Sequence, residues 1–275
     1  MSLDSTFFRV EIDAHVAHLV MNRPEKANAM GPDFWEDLPR LTRTLCTDPE
    51  VRAILISGEG KHFSSGMDLT AFAGIADMTK GEPGRAAHAL YQHILHLQDS
   101  FTALERAHVP VICAIHGACV GGAIDMITAA DIRLASEDAY FAVEEINIGM
   151  AADVGTLQRL PKVIAPGIAK ELCFTGRRFG AAEAKGFGLI NKVHPDRDAV
   201  VAAGLALARD IAAKSPLAMA GIKRSLNYAV DHPTGDALEQ IAMWNAGMLR
   251  PEDLMTAMQA RAAKQEAEFK GLKVG

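Results

Sequence analysis

The feature that most constrains the fold is a repeated order of strand, strand and helix that stops near residue 200. Short apolar segments alternate with helical segments about every 40–50 residues: the strands are VRAILISGEG, PVICAIHG, DIRLAS and AYFAVE. Such alternation predicts a layered α/β fold built from stacked repeats. We therefore expect one core over residues 1–199.

The last part of the chain, residues 200–275, has a different composition. It contains only Ala-rich helical segments, namely AVVAAGLALARDIAAK, LAMAGIKRSLNYAV, ALEQIAMWNAGML and EDLMTAMQARAAKQEAEF. These segments are amphipathic, and their apolar faces need a partner. We expect this helical region to pack on the core and on neighbouring subunits.

Several elements are predicted individually. The segment FFRVEIDAHVAHLVM alternates like a β-hairpin with its turn near residues 13–15. Helices are expected over residues 33–47 and about 86–107. A glycine-rich junction joins the strand PVICAIHG to the helix GGAIDMITAA.

Charge and cysteine pattern exclude several classes of protein. The net charge of −6 argues against nucleic-acid binding, which needs clustered Lys and Arg. No apolar stretch is long enough to span a membrane, the N-terminus is unlike a signal peptide, and GLKVG is no peroxisomal tripeptide. The four cysteines lack metal-ligand spacing. These features predict a cytoplasmic protein with reduced thiols.

Three carboxylates occur in surroundings that normally exclude them. Asp125 lies in GACVGGAIDMITAA, Glu145 in YFAVEEINIGM and Asp153 in AADVGTLQRLPKV. Burial disfavours the charged form of a carboxyl group and so suits it to acid–base work near neutral pH. We interpret the three as a proton-transfer site.

Each acid also has a simpler interpretation. Glu144 and Glu145 are adjacent on a predicted strand, so one of them should face solvent. Asp153 could cap a helix that begins near Val154. Asp125 is the hardest to explain without a partner or a role.

Two backbone amides are candidates for binding an oxygen that gains negative charge. One lies in GACVGG, where a strand enters a helix, and the other is Met67 in the turn HFSSGMDL. The alternative is a glycine needed only for close packing. GACVGG does not have the spacing of a dinucleotide fingerprint. Ser64 and Ser65 lack a nucleophile elbow.

The histidines and Asp68 are less promising. His62 and His116 are predicted to be structural, and Asp68 to be a structural or capping acid. None of the ten histidines has a metal-binding spacing, so no metal is expected.

Seven segments together resemble the crotonase (enoyl-CoA hydratase/isomerase) superfamily, over roughly residues 8 to 260. They are Asn22-Arg23-Pro24, HFSSGMDL, HGACVGGAIDM, ADIRLAS, the Glu145 segment, GTLQRLP and TGRRFGAAEAKGFGLINKV. The resemblance implies a spiral of ββα repeats with a helical C-terminal trimerisation region, assembled as a homotrimer or homohexamer.

The same resemblance implies an acyl-CoA thioester as substrate. Its carbonyl oxygen would bind the amides of Met67 and Gly122, and coenzyme A would be part of the substrate, with no separate cofactor. Further substrate contacts are implied for Lys26, Ala27, Ala29, Ser65, Gly66, Asp68, Leu69, Gly117 and Gly121. A basic residue of the helical region, such as Lys223, is a further candidate for the phosphates, from the same or a neighbouring subunit.

Within the superfamily, the acids resemble those of the Δ3,5-Δ2,4-dienoyl-CoA isomerases. Hydratases usually carry glutamates at the positions of Asp125 and Glu145 and a glycine-rich sequence near Asp153. The resemblance implies proton transfer from C2 to C6 by Glu145 and Asp153, with Asp125 orienting or tuning Glu145. Fatty-acid β-oxidation is the expected pathway.

Three alternatives remain open at this stage. An enoyl-CoA hydratase would use Asp125 and Glu145. A Δ3,Δ2-enoyl-CoA isomerase needs one acid and leaves Asp153 unexplained. A non-catalytic oligomeric scaffold or RNA-binding homologue would bind no acyl-CoA.

Overall fold

The computed structural model describes residues 2–68, 70, 74, 78 and 80–272. Nine strands occur in these residues, and they form two sheets. The strands are β1 (Phe8–Asp13), β2 (Val16–Met21), β3 (Ala53–Gly58), β4 (Val111–Ile115), β5 (Ala118–Val120), β6 (Ile132–Ser136), β7 (Tyr140–Ala142), β8 (Phe179–Gly180) and β9 (Lys192–His194).

Ten α-helices occur in the same residues, together with short 3₁₀ helices at Pro24–Lys26 and Glu144–Ile148. The α-helices are α1 (Pro32–Thr47), α2 (Pro83–Arg106), α3 (Gly122–Ala129), α4 (Thr156–Val163), α5 (Pro166–Thr175), α6 (Ala181–Phe187), α7 (Arg197–Ala212), α8 (Pro216–Asp231), α9 (Thr234–Met248) and α10 (Pro251–Ala263). No helix in the described part is both long and apolar enough to cross a bilayer.

The larger sheet has the strand order β1-β2-β3-β4-β6-β9. β1 and β2 form the predicted antiparallel hairpin, and Ala14 and His15 take the positive φ values that a tight hairpin turn needs. The remaining pairs in this sheet are parallel. Parallel strands need crossover connections, and the helices provide them.

The smaller sheet, with the order β5-β7-β8, produces the predicted repeat. β4 lies in the larger sheet and β5 in the smaller one, and α3 follows. β6, β7 and α4 repeat that order. The α/β fold with ββα repeats is therefore confirmed.

Two hydrophobic clusters cover the two faces of the larger sheet. Along β3, Ile54 and Ile56 face the main core, whereas Ala53 and Leu55 face a smaller cluster that includes Val200 of α7. This alternation is the expected period of two. The helices predicted after residue 200 are present, and the first of them, α7, packs directly on the sheet.

Candidate active site

A cavity of about 580 Å³ lies where the small sheet and the start of α3 meet the segments around residues 26–29 and 65–68. Eleven of the predicted site residues line it: Lys26, Ala27, Ala29, Ser65, Gly66, Met67, Asp68, Gly121, Gly122, Glu145 and Asp153. Asp125 and Gly117 do not line it. Leu69 lies outside the described residues.

The walls also contain residues that sequence reasoning did not select as site residues. They are Trp35, His62, Ala118, Val120, Tyr140, Glu144, Ile148, Met150, Val154 and Arg178. Most are apolar or aromatic, and their presence follows only from the folded arrangement. The result is an apolar cavity with a few convergent polar groups, which is typical of a small-molecule site.

The turn that carries Met67 is held by backbone pairing with residues 27–30. Ser65 N–H donates to Ala27 O at 2.9 Å, and Met30 N–H donates to Gly66 O at 2.8 Å. The buried Ser64 hydroxyl donates to Asn28 O and accepts from Gly66 N–H. Ser64 therefore shapes the turn, in agreement with its rejection as a nucleophile.

Asn28 is a structural residue that sequence reasoning missed. It is buried with a positive φ, and its side-chain amide donates to Glu59 O and His62 O. Its side-chain oxygen accepts from Arg23 N–H. Such buried amides fix loops that have no regular secondary structure.

The amides of Met67 and Gly122 come from two turns that approach closely. A β-carbon added at Gly66 would lie 2.7 Å from Val120 O and 3.3 Å from Gly122 N. A β-carbon added at Gly122 would lie 3.8 Å from Met67 N. Neither amide donates to another group in the described residues, so both N–H groups are available at the cavity wall.

Gly117 has a structural role, because it lies where two backbone segments approach closely. Its φ is +55°, and a β-carbon there would lie 2.2 Å from Lys61 O. The glycine lets residues 61–63 approach β5, where Ala118 N–H contacts His62 Nδ1 at 3.1 Å. Gly117 thus supports the cavity from behind, and the prediction that it contacts substrate gains no support from its place.

Glu145 lies on the 3₁₀ helix Glu144–Ile148, and the prediction of a strand at this point is wrong. β7 ends at Ala142, and the backbone then turns, so Glu144 and Glu145 both line the cavity and do not point to opposite faces. A β-carbon added at Gly121 would lie 3.4 Å from Glu145 Oε1. Burial raises the pKa of Glu145, and the nearby charge of Asp153 raises it further.

Asp125 is fully buried on α3 behind the cavity wall, with 0% exposure. Its Oδ1 accepts the N–H of Thr156, the first residue of α4, at 2.5 Å. Burial, followed by the charge of Glu145, raises the pKa of Asp125 to about 7. The carboxyl group therefore joins two helices and interacts electrostatically with Glu145.

Asp153 lines the cavity, and it is not the cap of α4. The N-cap residue is Gly155, and the side chain that meets the first turn of α4 is that of Asp125. Asp153 is half-buried, and burial raises its pKa. Gln98 of α2 donates to its main-chain carbonyl at 2.7 Å.

Two cations occur on the cavity wall, and one predicted cation is elsewhere. Lys26 and Arg178 line the cavity, and the Arg178 guanidinium lies 5.1 Å from the centre of the Tyr140 ring. Lys223 is buried in its own subunit, where it pairs with Asp131 at 2.7 Å. The suggestion that Lys223 meets a substrate phosphate is therefore wrong.

These features define a crotonase-type protein: the arrangement of the two sheets, the ββα repeat, and a cavity with two available backbone N–H groups at its wall. The sequence model described as "Enoyl-CoA hydratase/isomerase" matches residues 11–272. The chain therefore belongs to the enoyl-CoA hydratase/isomerase family.

Individual relatives agree with this assignment. The chain is 44% identical over 256 residues to the mitochondrial Δ3,5-Δ2,4-dienoyl-CoA isomerase of Rattus norvegicus, covering 92% of this chain and 78% of the relative. It is 40% identical to the peroxisomal enzyme of the same name from Arabidopsis thaliana, covering 95% of both chains. Among solved structures, an enoyl-CoA hydratase from Bacillus anthracis matches with a TM-score of 0.87 and 27% identity, covering 97% of this chain and 100% of the other.

Proposed function

We propose that the protein converts 3,5-dienoyl-CoA to 2,4-dienoyl-CoA by moving one proton from C2 to C6. The observation that carries the proposal is that Glu145 and Asp153 line the same cavity as the Met67 and Gly122 amides. The relatives named for this reaction, at 40% and 44% identity, support it. Fatty-acid β-oxidation is the proposed pathway.

The reaction begins with the thioester carbonyl. Its oxygen accepts hydrogen bonds from the Met67 and Gly122 amides, which stabilise the negative charge that develops there. One carboxylate removes a proton from C2 and produces a dienolate extended over both double bonds. A carboxylic acid then donates a proton to C6, and the two conjugated double bonds move together. Proton exchange with water returns the first group to its carboxylate form and the second to its acid form for the next turnover. No electrons leave the substrate, so no redox cofactor is needed.

Two acids suit this transfer better than one. C2 and C6 are four bonds apart, and a single short side chain does not easily reach both. Raised pKa values favour the proton exchange, because a catalytic acid works best with a pKa near the working pH.

We assign Glu145 to C2 and Asp153 to C6. The position of Glu145 Oε1, 3.4 Å from where a β-carbon on Gly121 would lie, supports this, since Gly121 precedes the Gly122 amide that would bind the thioester oxygen. Carbon C2 is bonded to the thioester carbon, so its base should lie near that amide. Asp125 acts behind the cavity as a positioning residue.

Other parts of the site would bind coenzyme A. Lys26, Ala27, Ala29, Gly121 and the segment 65–68 line the cavity and are proposed substrate contacts, with Arg178 as an added candidate for a phosphate. The proposed assembly is a homotrimer or homohexamer, and the proposed location is the cytoplasm. The two relatives described above are named as mitochondrial and peroxisomal.

The test is an ultraviolet assay with 3,5-octadienoyl-CoA, run beside a hydration assay with a 2-enoyl-CoA. Growth of the 2,4-dienoyl absorbance with little hydration is the expected result. Efficient hydration without a dienoyl signal would instead make the protein a hydratase. Absence of both signals, or failure to bind any acyl-CoA, would reject both activities.

A further inference from the structure

We propose that Gln98 is a positioning residue that sets the depth of the Asp153 carboxyl group in the cavity. Gln98 lies on α2, 55 residues earlier in the chain, and its side-chain amide donates to Asp153 O at 2.7 Å. The inference rests on the proposed function, because it concerns one of the two acids proposed to transfer the proton.

The Asp153 carboxylate is oriented by its own main chain. The Asp153 N–H interacts with it, and no side chain in the described ranges hydrogen-bonds to its oxygens. The Asp153 main-chain carbonyl accepts from Gln98. The side chain is short, and a displacement of the backbone therefore moves the carboxyl group by a similar distance. Gln98 supplies the hydrogen bond that fixes this backbone.

The segment after Asp153 is held at its other end by α3. Asp125 Oδ1 accepts the N–H of Thr156, three residues beyond Asp153. Gly155, between them, has a φ of +138°, a value that side chains rarely permit. Residues 153–156 are thus fixed at both ends, by Gln98 on one side and Asp125 on the other.

The same face of α2 holds the next turn of the segment. Thr102 and Glu105 follow Gln98 at helical spacing, and Arg159 donates to both of their side chains, at 3.2 Å and 2.8 Å. The Thr102 hydroxyl also donates to Gln98 O. This second attachment keeps residues 154–159 on α2 when the Gln98 hydrogen bond is removed. Loss of that bond should therefore affect Asp153 locally.

The substitution Gln98→Leu removes the donor and keeps a similar volume. We expect kcat for dienoyl isomerisation to fall about 10- to 100-fold, the range for a misplaced catalytic group, with KM little changed. In deuterated water, incorporation at C6 should fall more than exchange at C2. The matched control is Gln92→Leu, the same change at an exposed position of the same helix, and it should leave kcat unchanged.

A double-mutant cycle separates positioning from a general structural effect. In an Asp153→Asn background, Gln98→Leu should cause little further loss, because it acts through Asp153. An undiminished loss in that background, or full kcat in Gln98→Leu alone, would overturn the proposal. Gln98→Met, which matches the side-chain length, replaces the Leu variant if that variant does not fold.

A second readout does not depend on turnover. Infrared difference spectra between the wild-type protein and Asp153→Asn isolate the Asp153 carboxyl band and its titration. In Gln98→Leu, the pKa of Asp153 should fall toward its ordinary value as the group moves to solvent, because burial, the largest influence on this pKa, outweighs the opposing charge of His93 on α2. An unchanged pKa would reject the positioning role. A wild-type protein without isomerase activity would reject the proposed function and leave this measurement decisive for Gln98.

Discussion

Asp125, Glu145 and Asp153 differ in how far their carboxyl groups reach the cavity. Asp125 is sealed behind the wall, whereas Glu145 and Asp153 are partly buried in it. Burial is the largest cause of the raised pKa for all three. One physical effect therefore produces a structural acid in one place and two candidate proton carriers in another.

Replacement of Asp153 by Asn should separate the two proposed proton transfers. We expect kcat to fall about 10²–10⁴-fold, the usual loss for a proton-transfer group. Exchange of the C2 hydrogen with deuterated water should continue, because Glu145 remains. Mass spectrometry of recovered substrate measures this exchange. The control is Glu137→Gln at an exposed loop position. Near-full isomerase activity in Asp153→Asn would contradict the assignment.

Asp125 should make the stability of the protein depend on pH. Its pKa is about 7 in the folded state and near 3.8 when unfolded, so the folded state binds more protons between these values. The contribution of Asp125 to the free energy of unfolding is fully present below about pH 4 and is lost as pH rises through about 7.

The variant Asp125→Asn keeps an oxygen that can accept the Thr156 N–H but carries no charge. The free energy of unfolding of Asp125→Asn, minus that of the wild-type protein, should therefore be larger at pH 8 than at pH 5. Urea unfolding at both pH values measures the difference. If the free energies of unfolding of the two proteins differ by the same amount at both pH values, the pKa of Asp125 is unshifted.

At the scale of elements, regular segments were predictable and their irregular connections were not. The β1–β2 hairpin, α1 and α2 appear within about three residues of their expected bounds, because each has a clear hydrophobic period. The 3₁₀ helix at Glu144–Ile148 was missed, since two adjacent glutamates after a strand give no periodic signal. This one error hid the fact that Glu144 also faces the cavity.

The C-terminus of α2 depends on a buried ion pair contributed by α8. Lys223 Nζ donates to Leu104 O and Val109 O, both at 3.1 Å, and pairs with Asp131. The Lys223 side chain is 5% exposed and that of Asp131 is 24% exposed. Lys223→Met would leave buried carbonyls without a donor and would remove the cation that pairs with Asp131, whose carboxylate would keep the hydrogen bond from the Val111 N–H.

We expect Lys223→Met to lower the free energy of unfolding by about 3 kcal/mol, the lower end of the range for a broken buried pair. Lys162→Met breaks the exposed pair with Asp231 and should cost less than about 1 kcal/mol. Chemical denaturation of both variants provides the comparison. Equal costs would indicate that the Lys223 pair behaves like a surface pair.

At the scale of the whole molecule, the sequence predicted the repeat and eleven of the residues that line the cavity, but not the long-range contacts that hold them in place. Asp125 and Glu145 were identifiable because charged groups stand out in apolar segments. Gln98 gave no such signal, because a partly buried polar side chain on an amphipathic helix is ordinary. Its hydrogen-bond partner is also 55 residues away in the sequence. Long-range contacts of this kind follow from the fold and not from local pattern.

The helices after α7 bury little of their apolar surface within a single chain. α9 and α10 contain no buried residues, and large apolar side chains on α8–α10 and at the link between α9 and α10 are exposed: Ile222, Leu226, Val230, Leu238, Met243, Met248, Leu249, Leu254, Met255 and Met258. Extended apolar surface of this kind marks an interface. We predict that these helices pack between copies of the chain.

Light scattering after size exclusion should therefore give three or six times the chain mass of 29.5 kDa. Leu226→Asp, at a side chain that is 65% exposed, should shift the mass toward the monomer because a charge would be buried in the interface. Ile12→Asp makes the same kind of change at a 41% exposed residue of β1, outside α8–α10, and should leave the mass unaltered. A monomeric wild-type protein would contradict the predicted assembly, and dissociation by both variants would contradict the location of the interface.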